Sequence, residues 1–179
     1  VCVLDIVDNI DVSILSFGLW VMLGVALTKY NGLAIHSSAI TMDGYCALFL
    51  GESGTGKSTH TRLWKECFSN AELLNDDSPI VRIIDNNIVV YGSPWSGKTP
   101  CYKNRRYPIK GFVRLSQAPH NSIQRLTTLE AIGALYSSCP YVLMSDDRLN
   151  NAICGTLSTI IRHVPTFKME CLPNAAAAI

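Results

Sequence analysis

Gly51-Glu52-Ser53-Gly54-Thr55-Gly56-Lys57-Ser58 fits the pattern G-x-x-x-x-G-K-[ST] in full. An apolar hexad precedes it and a helical pattern follows, so spelling and context agree. Glycines let a backbone approach phosphate oxygens with its N–H groups turned inward, and a helix that begins there aims its positive end at the same anion. Lys57 is placed to reach the β and γ phosphates, Ser58 offers a hydroxyl to Mg²⁺, and Thr59 extends the cradle. The chemistry indicated is a nucleoside triphosphate held with a magnesium ion.

Asn75-Asp76-Asp77 begins eighteen residues after Lys57, at the end of a short apolar run. If strand, loop, helix and strand form a right-handed crossover, that run ends on the same edge as the phosphates. One carboxylate would then hold the metal or its waters, and the other would accept a proton from an attacking hydroxyl. The residues alone leave open which does which. His36, fifteen residues before Gly51, falls on a strand expected to pair with the strand of the loop. A lone histidine in an apolar strand is more often a satisfied core residue than a ligand.

These positions require a set of elements to hold them. Residues 33–40 read as a strand, 42–44 as a turn and 45–50 as a strand buried on both faces. A helix is expected over 57–68, a short strand over 71–75, and a hairpin over 80–84 and 88–91 around Asp85-Asn86-Asn87. A glycine- and proline-rich loop follows, then a strand near 109–115. Thr127-Thr128-Leu129-Glu130 has capping-box spacing for a helix through Tyr136, and Leu149, Ile153, Leu157, Ile160 and Ile161 repeat at helical spacing. Asp146-Asp147 is read as the cap of that late helix, and 166–172 as a closing strand. The expected architecture is α/β: a single P-loop nucleotide-binding domain with a mixed β-sheet flanked by helices, residues 1–31 being an N-terminal helical segment and 32–179 the nucleotide core.

His36-Ser37-Ser38-Ala39, the hairpin, the loop and Asn75-Asp76-Asp77 together resemble the nucleotide core shared by HPr kinase/phosphorylase and ATP-dependent phosphoenolpyruvate carboxykinase. The match runs from about residue 36 to 77, and more loosely through Gly92-Ser93-Pro94-Trp95 and Tyr107-Pro108-Ile109-Lys110-Gly111. The resemblance implies ATP and Mg²⁺ as cofactors, a metal served by Ser58 and Asp77, Asp76 as proton acceptor, and His36 lining the metal and phosphate site. The chain is short for a carboxykinase and lacks the E-x-x-G signature of HPr kinases, having Tyr91-Gly92-Ser93-Pro94-Trp95 at that place. The similarity is therefore to divergent HPr-kinase-like proteins. It implies a kinase that transfers the γ-phosphoryl group to a hydroxyl, that of serine in a protein, a peptide or the free amino acid. A catalytically silent ATP-binding regulatory module and a nucleic-acid-coupled ATPase are the alternatives.

From residue 86 to 129 there is no acidic residue, yet seven of the fifteen Lys/Arg lie there. Such segregation suggests a positive surface beside an anion, with Lys98, Arg105 and Arg106 as candidate clamps for the phosphoryl group or a substrate carboxylate. The interleaved Trp95, Tyr102 and Tyr107 would suit single-stranded nucleic acid, but a net charge of +1 counts against that partner.

The 179 residues suit one domain, and 16% charged against 48% hydrophobic residues excludes a disordered tail and fits a deep core with, or without, a homo-oligomer interface. Seven scattered cysteines with no C-x-x-C pair read as cytoplasmic thiols rather than a disulfide framework or zinc site. No secretory signal pattern is visible. Residues 12–28 carry no charge and sit at the lower length limit of a membrane span; Ser13, Ser16, Gly24 and Thr28 gather on one side, which favours a buried core helix.

Overall fold

The computed structural model of the chain describes residues 11–97 and 99–178. Lys98, one of the candidate clamps, and residues 1–10 of the N-terminal segment lie outside the described residues.

The first element is helix α1 (Val12–Thr28), capped by the Asp11 carboxylate, which accepts from the Ser13 N–H. The run expected as one strand is two: β1 (Gly32–Ala34) and β2 (Ser37–Met42). They separate because Ile35 and His36 give their N–H groups to Pro79 and Ser138 carbonyls outside the sheet ladder. A tight turn with positive φ at Asp43 and Gly44 leads into β3 (Tyr45–Leu50), then the glycine loop and helix α2 (Lys57–Cys67).

Strand β4 (Glu72–Asp77) carries both aspartates within it rather than after it. Strands β5 (Ile80–Ile84) and β6 (Asn87–Tyr91) form the expected hairpin, with Asp85 and Asn86 at φ 48° and 63° in its two-residue turn. Two positive φ values in succession suit the twist of a hairpin and explain the Asp-Asn pair. A long strand β7 (Arg106–Gln117) follows, and then β8 (Ser122–Arg125), helix α3 (Thr128–Tyr136), the one-turn helix α4 (Tyr141–Met144), helix α5 (Asp147–His163) and β9 (Thr166–Cys171). The capping box of Thr127 with Glu130 and the Asp146 cap of α5 form as the spacing indicates.

The strands join in the order β1-β5-β6-β7-β3-β2-β4, with β9 bonded to β7 and β8. Strand β7 serves three neighbours: its start pairs antiparallel with β6, its remainder parallel with β3 and β9. Strands β3 and β4 run in the same direction because each is antiparallel to β2, which lies between them. Alternation along β3 then fills both faces of the sheet. Leu48 and Leu50 join Ile35, Leu74 and Phe112 beneath Leu135, Ile153, Leu157 and Ile160 of α3 and α5. Phe49 packs with Ile40, Leu115 and Trp64 on the side covered by α2.

Helix α1 corrects the expectation of a buried core helix. Only Gly24 and Leu27 are buried, and Val12, Ile14, Phe17, Leu19, Met22 and Val25 are exposed. With no charged residue in seventeen, apolar side chains surround the whole helix and its outer face keeps its share of them. No helix among the described residues is long and apolar enough to cross a membrane.

His60 of α2 is 3% exposed, its ring edge-on to Phe49 at 4.5 Å between centroids. Burial pushes its pKa down from 6.5 to about 4, so below neutrality the unfolded chain takes up a proton that the folded chain refuses. Stability contributed by the neutral ring is complete above the unfolded value and is lost as pH falls toward the folded one. Denaturant titrations should show a loss of about 2 kcal/mol between neutrality and about pH 5 that is absent in His60→Leu; an equal loss in both proteins would assign it to other groups.

Candidate functional site

The loop closes on itself through internal hydrogen bonds. Gly51 adopts φ 147°, and a Cβ there would meet the Thr55 hydroxyl at 2.6 Å, so only glycine allows the turn. Gly56 opens α2 in the left-handed region at φ 102°, where a side chain would be strained. The Lys57 ammonium folds back to donate to the carbonyls of Gly51 (2.7 Å) and Glu52 (3.1 Å), and lies 3.0 Å from His36 Nε2. Partial burial lowers its pKa against the opposing pull of Asp77 and Asp76.

Strand register brings the remaining groups to the same edge. Leu50, the residue before the loop, faces Ser37 on one side and Arg114 on the other, and Ser37 faces Asp77. His36 precedes Ser37, so its ring stands beside Asp77, with Nδ1 3.3 Å from Oδ1 and side chains 48% and 40% exposed. Asp76 points the other way and is 5% exposed. Its carboxylate accepts from the Ser38 hydroxyl at 2.5 Å and from the Ser58 hydroxyl at 3.0 and 3.1 Å. The expected pairing of Ser58 with Asp77 is therefore not the contact found. Ser58 meets Asp76, and Asp77 meets His36.

Ser58 Oγ and the Asp76 carboxylate form a hard-oxygen donor set. Such a set suits Mg²⁺, which takes one or two carboxylates and completes its shell with water and phosphate oxygens. These two side chains could hold the ion.

Two of the clamp residues read from the sequence, Arg105 and Arg106, are placed elsewhere. Arg105 lies 3.6 Å from Glu72, which also binds Lys103 at 2.9 Å, at the far end of β4 from the aspartates. Arg106 contacts the Tyr91 hydroxyl at 3.4 Å. Lys110 sits over the Tyr45 ring. Among the described residues the basic stretch is dispersed over Glu72, Tyr91 and Tyr45, and Arg114 reaches the loop. About 26 Å of strand separates it from Arg106, and the Ser137 hydroxyl holds its guanidinium at 3.0 Å. It lines two cavities along Gly51 and Glu52, one of about 430 Å³ and one of about 160 Å³ shared with His36, Ser138 and Cys139. Counting charges in the sequence could not separate Arg114 from its neighbours; pairing β7 with the strand of the loop could.

Asn75 is the second residue whose role emerges only from the structure. Fully buried, its side-chain carbonyl accepts from the Asp77 and Ser78 N–H groups, and its amide donates to Trp95 O at 3.0 Å and weakly to Ser93 and Cys101 carbonyls. Gly97 completes this seam by donating its N–H to Asp76 O at 2.9 Å, where a Cβ would lie only 2.5 Å from that oxygen. A polar residue after Leu73-Leu74 in an apolar strand is the signal that marks it.

Asn75→Ala should lower stability by about 2 to 4 kcal/mol, because two N–H groups at the carboxylates and several loop carbonyls lose their partner. Asn75→Asp keeps the acceptor but sets a carboxylate oxygen against the Trp95, Ser93 and Cys101 carbonyls in a buried site, and should lose at least as much in thermal unfolding. An alanine variant as stable as the parent would show that the hub is dispensable.

No protein-family model matches the chain, and no curated protein matches it. Among solved structures it is similar to the Hpr(Ser) kinase/phosphatase from Coxiella burnetii, at 12% identity over 79% of this chain and 81% of that one, with a TM-score of 0.44. At those values the likeness assigns no role to any residue.

Proposed function

We propose that the chain is an ATP- and Mg²⁺-dependent phosphotransferase that moves the γ-phosphoryl group to a hydroxyl, that of serine, free or in a peptide or protein. The observation that carries this reading is the edge at which the loop lysine, the exposed Ser58 hydroxyl on the buried Asp76 carboxylate, and an exposed His36–Asp77 pair converge. A site that only holds nucleotide needs the loop; two carboxylates in different environments suit a division between metal and proton.

The environments favour a definite assignment. Asp76, buried and accepting two hydroxyls, suits the metal side with Ser58. Asp77 is half exposed at the rim, where an acceptor hydroxyl can reach it and give up its proton, and His36 Nδ1 steadies it. This reverses the roles implied by the family resemblance. The metal, when bound, would supply charge neutralisation to the phosphates. Lys57 and the loop amides would stabilise the transferring group, and Arg114 would face it from the other side of Gly51 and Glu52.

Incubation with γ-labelled ATP and Mg²⁺, with free serine, serine peptides or buffer alone, tests the reading. Label should appear on a serine hydroxyl, and ATP left unchanged under every condition would refute it. Asp77→Asn should retain nucleotide binding and lose transfer by roughly 10²-fold or more. Asp76→Asn should instead raise the Mg²⁺ concentration needed for half-maximal rate.

A further inference from the structure

The loop has a direction. Lys57 lies on the Gly51 and Glu52 carbonyls, so the γ end of a bound triphosphate is toward His36 and Arg114. The other end passes Gly54 and Thr59 and opens into a cavity of about 500 Å³. That volume lies within the usual range for small-ligand sites, about 300 to 1,000 Å³. Away from the loop its walls are mainly apolar: Leu63 from α2, Ala118 beyond β7, and Leu172 and Pro173 beyond β9. His60, also in the lining, is kept neutral by burial and adds no charge there.

Gln117, the last residue of β7, lines the spaces on both sides, as the shorter Thr55 does, and is the amide among the polar groups between this cavity and the loop. Its Nε2 donates to the Gly54 carbonyl at 3.2 Å. That bond fixes which way the amide lies. A free glutamine side chain can turn over and read either a keto or an amino edge; one tied by its NH₂ keeps Oε1 as an acceptor, with the second N–H as a donor beside it.

We propose that the cavity seats the nucleoside of the triphosphate, and that Gln117 selects a base carrying an exocyclic amine beside a ring-nitrogen acceptor, as adenine does, against keto bases such as hypoxanthine. Adenine N6 donates to Oε1 and N1 accepts the second amide N–H. Hypoxanthine presents the reverse pattern and leaves both amide groups facing like partners. This rests on the reading of the loop as a triphosphate site.

Calorimetric titration with ATP, ITP and inorganic tripolyphosphate, each with Mg²⁺, separates the two claims. ATP should bind at least about tenfold more tightly than ITP and tripolyphosphate, the scale of a reversed pair of hydrogen bonds. Ala118→Trp, which fills the cavity, should weaken ATP by at least about tenfold and leave tripolyphosphate unchanged. Gln117→Ala should bring ATP and ITP within about twofold of each other. Equal affinity for ATP and tripolyphosphate, both indifferent to Ala118→Trp, would overturn the nucleoside seat while leaving the loop intact. Discrimination between ATP and ITP that survives Gln117→Ala would overturn the role of Gln117. Failure of all three ligands to bind would refute the loop reading itself.

Discussion

The arrangement depends on one row of backbone pairing: Arg114, Leu50, Ser37 and Asp77 lie side by side across β7, β3, β2 and β4. Leu50 is followed by the loop and Ser37 is preceded by His36, so this register alone places a cation, a glycine loop, an imidazole and a carboxylate on one edge. A slip of one residue would turn each side chain of the slipped strand to the opposite face. Apolar burial on both faces fixes the row, since Leu48 and Leu50 point into one core and Phe49 into the other. The groups at the edge are held in place by hydrophobic pairing behind them.

Alternation along β4 then sorts the two aspartates. Adjacent residues of a strand face opposite ways, so Asp76 and Asp77 cannot share an environment. Asp76 turns toward Ser38 and Ser58 and is buried; Asp77 turns to the rim and His36. Asn75 ties the backbone after both of them to the loop around Ser93 and Trp95, and that loop in turn meets α1, where Trp95 donates to Ser16 O and Trp20 to the Ser78 hydroxyl. Helix α1 is thus anchored to the back of the site through two indole N–H groups, although most of its apolar surface faces outward.

Much of this was legible in the residues. The loop, its flanking strand and helix, the hairpin turn and the caps of α3 and α5 depend on local chemistry, and each formed where its pattern indicated. What failed depended on partners distant in sequence. Residues 33–40 look like one strand, but His36 bonds to Ser138 and the strand breaks there. Arg105 and Arg106 look as eligible as Arg114 until Glu72 and Tyr91 engage them. Seventeen uncharged residues in α1 read as a core helix, because composition does not record how much of a helix its neighbours cover. The adjacent Asp-Asp pair stood out in the sequence, but which face each residue takes depends on pairing with β2.

The proposed function places anion binding at the loop edge and not at the cluster of Lys103, Arg105 and Arg106. Backbone amide NMR on titration with Mg²⁺ and ATP tests it most directly. The largest shifts should fall on residues 52–59, with accompanying changes at Asp76 and Asp77, while Lys103, Arg105 and Glu72 remain still. Shifts concentrated on residues 103–106, with the loop unmoved, would contradict the account.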